Sequence, residues 1–201
     1  MMKILITGGK GDLAVKVKSL IKDDYIVSMP TKDILDVTSI ESVENFFCDK
    51  AFDIIINNAG TLYSSLIIDS EPEKWIRDIN VNLIGTYLVS KYGIDANSKT
   101  KIINISSTAA FNSYKDWTSY CASKAGVIKL SLGLASDGYD VITLCPGAID
   151  TKLRKNINIV NHNVMTLTEG AVPIIDAIKN KYSSGDIIFY RKNILEIKRS
   201  F

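Results

Sequence analysis

The chain has 201 residues, 46% hydrophobic and 23% charged, with a formal net charge of +2. That length supports one domain with a substantial core, in an ordinary soluble composition, and so small a charge excludes a protein built on electrostatic attraction to nucleic acid or a membrane surface. Cys48, Cys121 and Cys145 have neither metal-ligand nor disulfide-framework spacing, no apolar run is long enough to span a bilayer, and Met1-Met2-Lys3 leads straight into a short strand rather than a signal peptide. A cytoplasmic protein with reduced thiols and no metal is expected.

In chain order, six short, nearly continuous apolar runs read as strands buried on both faces of a parallel sheet: 3–7, 25–29, 52–57, 101–106, 140–144 and 186–190. Helical patterns fall between them at about 12–22, 39–50, 72–95, 117–136 and 171–181. Capping boxes, Thr38 with Glu41 and Ser70 with Glu73, mark two helix starts, the second with Pro72 in its first turn. This alternation predicts right-handed βαβ crossovers in an α/β, Rossmann-type doubly wound sheet with helices on both faces. No repeat or linker divides residues 1–201, so a single domain is expected. The one long irregular stretch, Lys152–Leu167, is polar and asparagine-rich. His162, the only histidine, lies in it and reads as solvated.

After the first strand comes Thr7-Gly8-Gly9-Lys10-Gly11-Asp12-Leu13-Ala14. Glycines placed between a strand and a helix let the backbone turn tightly and approach a pyrophosphate, which then meets the free N–H groups of the helix. Asp12 suits an N-cap and the helix dipole. Near a pyrophosphate it also repels, so it either caps the helix or reshapes the phosphate site.

Farther on, Tyr120 and Lys124 stand four residues apart, one turn along a helix face. A cation that close favours the phenolate and brings the phenol's proton exchange toward neutrality. Ser107, at the end of the preceding apolar strand, can hold a substrate oxygen beside them. Together these groups point to acid–base chemistry on an alcohol or ketone. A second Tyr-x-x-x-Lys match, Tyr87 with Lys91, has no strand-end serine before it and reads as a helix-surface pair. Cys121 and Cys145, near the same segments, read as small hydrophobes.

From residue 3 to about 151 these motifs fall in the order of the short-chain dehydrogenase/reductase family, which the chain resembles. The loop at 7–14 resembles its first motif, with Asp12 and Ala14 in place of the glycines of the commonest form; as Gly8-x-x-Gly11-x-x-Ala14 it is nearer the sugar-nucleotide-modifying branch. The resemblance implies that Asp36 and Val37 contact the adenine ring. It implies that Asn57-Asn58-Ala59-Gly60 ends the fourth strand, that Asn82 bends a helix and relays protons, and that Ser107, Tyr120 and Lys124 are the catalytic set. Pro146, Gly147, Ile149 and Thr151 would lie along the nicotinamide.

By that resemblance Tyr120 protonates the nascent alkoxide, Lys124 depresses its pKa and holds the nicotinamide ribose, and Ser107 donates to the reacting oxygen. The second strand runs out through Pro30-Thr31-Lys32 with no acid at its tip, while Lys10 and Lys32 are placed to meet a 2′-phosphate, so NADP(H) is expected over NAD(H). Residues 152–167 occupy the place of the family's substrate lid and are short. Lys152, Arg154 and Lys155 read as a solvated basic loop. An NAD(P)-dependent carbonyl reductase or alcohol dehydrogenase (EC 1.1.1.-) leads, a small-molecule enzyme forming a homodimer or homotetramer through the helices at 72–95 and 117–136. Two alternatives stand beside it: a sugar-nucleotide reductase or epimerase, and a non-catalytic dinucleotide sensor.

Overall fold

In a computed structural model, which describes residues 1–21, 25–155, 161–199 and 201, seven strands form one sheet in the order β2-β1-β3-β4-β5-β6-β7. The strands are β1 (Met2–Ile6), β2 (Tyr25–Ser28), β3 (Ile54–Asn57), β4 (Lys101–Ile105), β5 (Val141–Pro146), β6 (Ile187–Arg191) and β7 (Ile194–Lys198). All pairs are parallel except β6 with β7. Every residue of β3 and β5 is buried, as is β4 after Lys101, which is why these strands read as unbroken apolar runs. Side chains such as Ile55, Ile102 and Ile142 are fully covered, each contributing about 1.5–3 kcal/mol.

The helices are α1 (Asp12–Leu20), α2 (Ile40–Phe47), α3 (Pro72–Ile79), α4 (Gly85–Ala96), α5 (Thr118–Ser136), the short α6 (Lys152–Lys155) and α7 (Leu167–Ile178). The core lies on both faces of the sheet. One cluster packs Ile4, Ile6, Ile142 and Leu144 against Ala14 of α1 and Ile174 of α7. The other packs Leu5, Ile55 and Ile102 against Val43 of α2 and Val89 of α4. The fold is the expected Rossmann-type doubly wound one. Among the described residues no helix is long and apolar enough to cross a membrane.

Several expectations need correction. Asn57 ends the third strand, not the fourth, because β2 is the only strand beyond β1 on that side. Its amide donates to Ser90 Oγ (3.0 Å) and Asn104 Oδ1 (2.9 Å), pinning β3 to α4 and β4, and Asn104 donates in turn to Ser131 Oγ (2.9 Å) of α5. The α2 cap is Ser39, whose side chain accepts from Ser42 N, while Thr38 Oγ1 donates to Asp36 instead. Glu71, without a side-chain cap, precedes α3, and Ser70 Oγ donates back to Ile67 O. The capping box lies at Thr166 and Glu169, so α7 starts four residues before the expected 171. The hairpin strand β7 was not foreseen: four of its five residues are exposed, leaving no buried face to mark it.

Candidate active site

The sheet order reverses between β1 and β3, and a crevice beyond the carboxyl ends of parallel strands at such a point is where α/β folds take ligands. A cleft of about 700 Å³ lies there. Gly8, Gly9, Lys10, Gly11, Asp12 and Leu13 form its floor, facing Asn58, Ala59 and Gly60. Gly8 has φ +66°, and a Cβ on it would stand 2.9 Å from Ala59 Cα. On Gly9 a Cβ would fall 2.5 Å from Met29 O, a backbone atom that cannot step aside. Only glycine lets this loop lie so close to β2 and β3.

Thr7, expected at the cleft, is buried beneath it instead. Its hydroxyl accepts from Asn58 N and Ala59 N (3.0 Å each), and Asn58 Nδ2 donates to Thr7 O (3.0 Å), so it positions the loops. Asp12 is not a cap. Gly11 takes the N-cap position, and the Asp12 carboxylate accepts from Lys152 N (2.7 Å), with Lys152 Nζ 3.9 Å away. It fastens the start of α1 to the segment after β5.

Asp36 and Val37 are corrected as well: neither lines the cleft. Asp36 accepts from Thr38 N (3.0 Å) and Thr38 Oγ1 (2.7 Å) and pairs with Lys32 at 3.4 Å. Burial opposes its ionisation, yet these partners hold the carboxyl below its usual range. Val37 is buried against Gly85. The far wall is formed by Pro30, Thr31, Lys32 and Asp33. Sequence reading missed Asp33, one residue past the segment taken as the strand's exit; Thr31 Oγ1 donates to it at 2.8 Å.

At the other end Ser107, Tyr120 and Lys124 come together on the same cleft with Pro146, Gly147, Ile149 and Thr151. Ser107 ends the β4 connection in extended conformation; its hydroxyl accepts from Ala109 N (3.1 Å) and reaches Pro146 O at 3.5 Å. Neighbouring Ser106 donates instead to Lys124 O (2.7 Å), which leaves Ser107 as the hydroxyl acting on the Tyr120 phenol. Lys124 Nζ donates to Ile105 O (2.9 Å) and stands 5.7 Å from the Tyr120 ring centroid. By contrast Tyr87 is exposed and Lys91 pairs with Asp95, as a helix-surface pair should.

The expected electrostatics reverse here. Burial pushes the Tyr120 phenol up to about 12; Ser107 opposes that and the Asp78 charge adds to it. Burial also pushes Lys124 down to about 8, against the pull of Cys145 and Asp78. Desolvation outweighs the ammonium's attraction because both groups are enclosed and the ammonium is held on the Ile105 carbonyl. The phenol is therefore kept in its acid form.

Asn82 lies in a wider π turn (Asn80–Ile84) between α3 and α4, fully buried and outside the cleft lining. Its amide is engaged on both sides: Oδ1 accepts from Thr61 N (2.8 Å), and Nδ2 donates to Thr61 O (2.9 Å) and Ser123 Oγ (3.0 Å). The side chain braces the loop after β3 against α5, its two donors used and one lone pair of Oδ1 still unbonded. Sequence reading missed Asp78, a buried carboxylate on α3. It accepts from Thr61 Oγ1 (2.7 Å), Tyr63 N (2.8 Å) and Ser119 Oγ (2.8 Å), so it ties that loop to the turn of α5 that carries Tyr120. Trp117 was also missed. It lines the cleft, meets Tyr120 edge-on at 5.9 Å, and its buried indole N–H has no partner among the described residues. His162 is exposed, Cys145 buried and Cys121 partly buried. The Lys155 side chain and residues 156–160 of the lid segment lie outside the described residues.

A Rossmann-type sheet, a glycine-floored cleft at its reversal point and a buried Ser–Tyr–Lys cluster at one end define the class. A profile of the family described as short chain dehydrogenase matches residues 32–162, and the chain belongs to that family. An uncharacterized oxidoreductase of Staphylococcus aureus (strain MRSA252) is 32% identical over 168 residues, covering 78% of this chain and 71% of that protein. The 3-oxoacyl-[acyl-carrier-protein] reductase FabG of Vibrio harveyi is 35% identical over 137 residues, 62% of this chain and 56% of that one. Among solved structures, a small-chain dehydrogenase in complex with NADPH superposes with a TM-score of 0.84 at 20% identity, over 94% of this chain and 96% of that one.

Proposed function

We propose that the protein is an NAD(P)-dependent oxidoreductase that interconverts a carbonyl compound and its alcohol, with NADP(H) as the cofactor. The observation that carries this reading is the enclosure of Ser107, Tyr120 and Lys124 on the same cleft as the Gly8–Gly11 cradle. The cradle fits a dinucleotide: its glycines leave room for a pyrophosphate where any Cβ on Gly8 or Gly9 would collide with backbone, and the loop opens α1. Six cationic residues and two acidic ones line the cleft, a balance that suits anionic ligands. Lys10 and Lys32 are the groups for a 2′-phosphate. The structural neighbour solved with NADPH agrees with that choice.

Bound in the cleft, the dinucleotide supplies or takes up hydride at its nicotinamide. The chain's own groups then have separate tasks. Tyr120, kept protonated by burial, gives its proton to the carbonyl oxygen during reduction. Ser107 donates to that oxygen as charge develops on it. Lys124 places a positive charge near the phenol and would hold the ribose of the bound cofactor, while Pro146, Gly147, Ile149 and Thr151 would line the nicotinamide. The whole chain acts as one nucleotide-binding domain. The lid segment is moored at its described ends, by Lys152 N on Asp12 and by the bridge of Ile149 to Met165. The stretch from α3 through the π turn to α4, which exposes Ile76, Ile84 and Tyr87, forms the contact of a homodimer or homotetramer together with α5. Three free cysteines fit a cytoplasmic setting.

A panel of aldehydes and ketones with NADPH tests the reading, following nicotinamide absorbance and identifying the product alcohol. Stoichiometric NADPH oxidation and alcohol formation on at least one substrate are expected. Tight NADPH binding with no carbonyl reduced would instead make the protein a dinucleotide sensor. Turnover restricted to nucleotide-linked sugars would make it a sugar-nucleotide enzyme.

A further inference from the structure

The cleft wall beyond the Pro146–Gly147 turn ends in Arg191, the last residue of β6. Successive side chains on a strand leave opposite faces. On β6 Ile187 packs with Ile128 of α5, whereas Ile188 and Tyr190 join the cluster under α1 and α7. Arg191 shares the parity of Ile187 and so leaves the sheet on the face that carries α5 and Tyr120. Its stem lies on Gly147, where a Cβ would come within 2.9 Å of Arg191 Cγ. The preceding residue, Pro146, offers the carbonyl that the Ser107 hydroxyl reaches at 3.5 Å. The stem of Arg191 therefore lies one residue along the wall from the carbonyl that Ser107 reaches, on the same cleft.

Arg191 is half-buried, and among the described residues it has neither a hydrogen-bond acceptor nor a carboxylate partner. Its guanidinium carbon lies 5.0 Å from the Phe189 ring centroid. That contact holds the charge in place without using the N–H donors. Trp117 lines the same cleft with its ring, packed edge-on to Tyr120. Leu62, Ala109 and Tyr114 supply apolar surface at this end. A planar cation with unused donors, beside a site for a carbonyl, matches a carboxylate in the two-pronged geometry that Arg favours.

We propose that Arg191 anchors the carboxylate of the substrate, so that the cleft takes small oxo acids and reduces them to hydroxy acids. This assignment rests on the carbonyl-reductase reading above. In the reaction the carbonyl π bond breaks, hydride from NADPH forms the new C–H bond, and the Tyr120 proton completes the hydroxyl. The carboxylate is unchanged and serves only to hold the molecule.

The test uses oxo acids with one to three carbons linking carbonyl and carboxylate, each beside its methyl ester, plus dihydroxyacetone phosphate, with NADPH and full-length protein. The wild type is expected to favour at least one acid over its ester by about ten- to a hundredfold in kcat/KM, the range set by a charge-assisted pair. Arg191→Gln is expected to collapse that ratio toward one, chiefly through KM, and Arg191→Lys to restore part of it. Equal use of acids and esters by the wild type, a ratio unmoved in Arg191→Gln, or a preference for the phosphate over every acid would each overturn the assignment. So would a loss of NADPH affinity in Arg191→Gln, because the residue would then belong to the cofactor. If NADPH binds and no carbonyl is reduced, the reductase reading has failed by itself. Calorimetric titration of the NADPH-loaded protein with the acids then decides Arg191: binding by wild type and none by Arg191→Gln upholds the anion site, and no difference removes it.

Discussion

The two ends of the cleft rest on opposite physical terms. At one end Ser107, Tyr120 and Lys124 are buried, and the proton affinities of Tyr120 and Lys124 are set chiefly by desolvation. At the other, Lys32 has a side chain 80% exposed and Asp36 satisfies itself on Thr38, so water screens whatever charge is offered there. The enclosed end can change what a proton does. The open end can only add modest attraction for a ligand's phosphate, which is the division expected between a chemical step and a handle.

Four perturbations sharpen that contrast, in falling order of effect. Gly9→Ala places a methyl 2.5 Å from Met29 O and 2.7 Å from its carbon, at the hinge between floor and sheet. A loss of about 3 kcal/mol is expected in urea unfolding, with NADPH affinity lost alongside. Second, Lys124 is held near 8 against an ordinary 10.5. Between those pH values the unfolded chain binds a proton that the folded chain has released, so stability rises with pH through the window, and below it the full cost of the buried charge applies. Lys124→Met is therefore expected to be about 2 kcal/mol more stable than wild type at pH 7, a gain that vanishes above about pH 10.5, as read from unfolding curves across pH.

The remaining two belong to the open end and are smaller. Lys32→Ala is expected to weaken NADPH by about three- to tenfold while leaving NADH binding alone, as measured by fluorescence titration. Asp36→Asn is expected to move stability by less than about 1 kcal/mol and NADPH affinity by less than about threefold, because its pair with Lys32 is largely exposed and Asp36 itself does not line the cleft.

Much of the enclosed end was legible in the sequence because covalent spacing fixes it. Four residues on one helix bring Tyr120 and Lys124 together whatever else happens, and glycines between a strand and a helix define the floor. Asp36 and Val37 were misplaced because the sequence does not show that Thr38 occupies the carboxylate or that Gly85 receives the valine. Asp78 reads as an ordinary helix acid until Thr61, Tyr63 and Ser119 close around it from segments 15 to 41 residues away. The sign of the Tyr120 shift was misjudged for a related reason. A neighbouring cation is visible in a sequence and burial is not, and here burial wins.

The central claim is that the enclosed end performs the proton step and the rest of the cleft holds the cofactor. Tyr120→Phe tests it directly, by steady-state NADPH oxidation on the best carbonyl substrate and NADPH titration of the same preparation. The account predicts turnover reduced by about a thousandfold or more with the NADPH dissociation constant within about threefold of wild type. Turnover persisting within about tenfold of wild type would contradict it, because the proton would then come from another source.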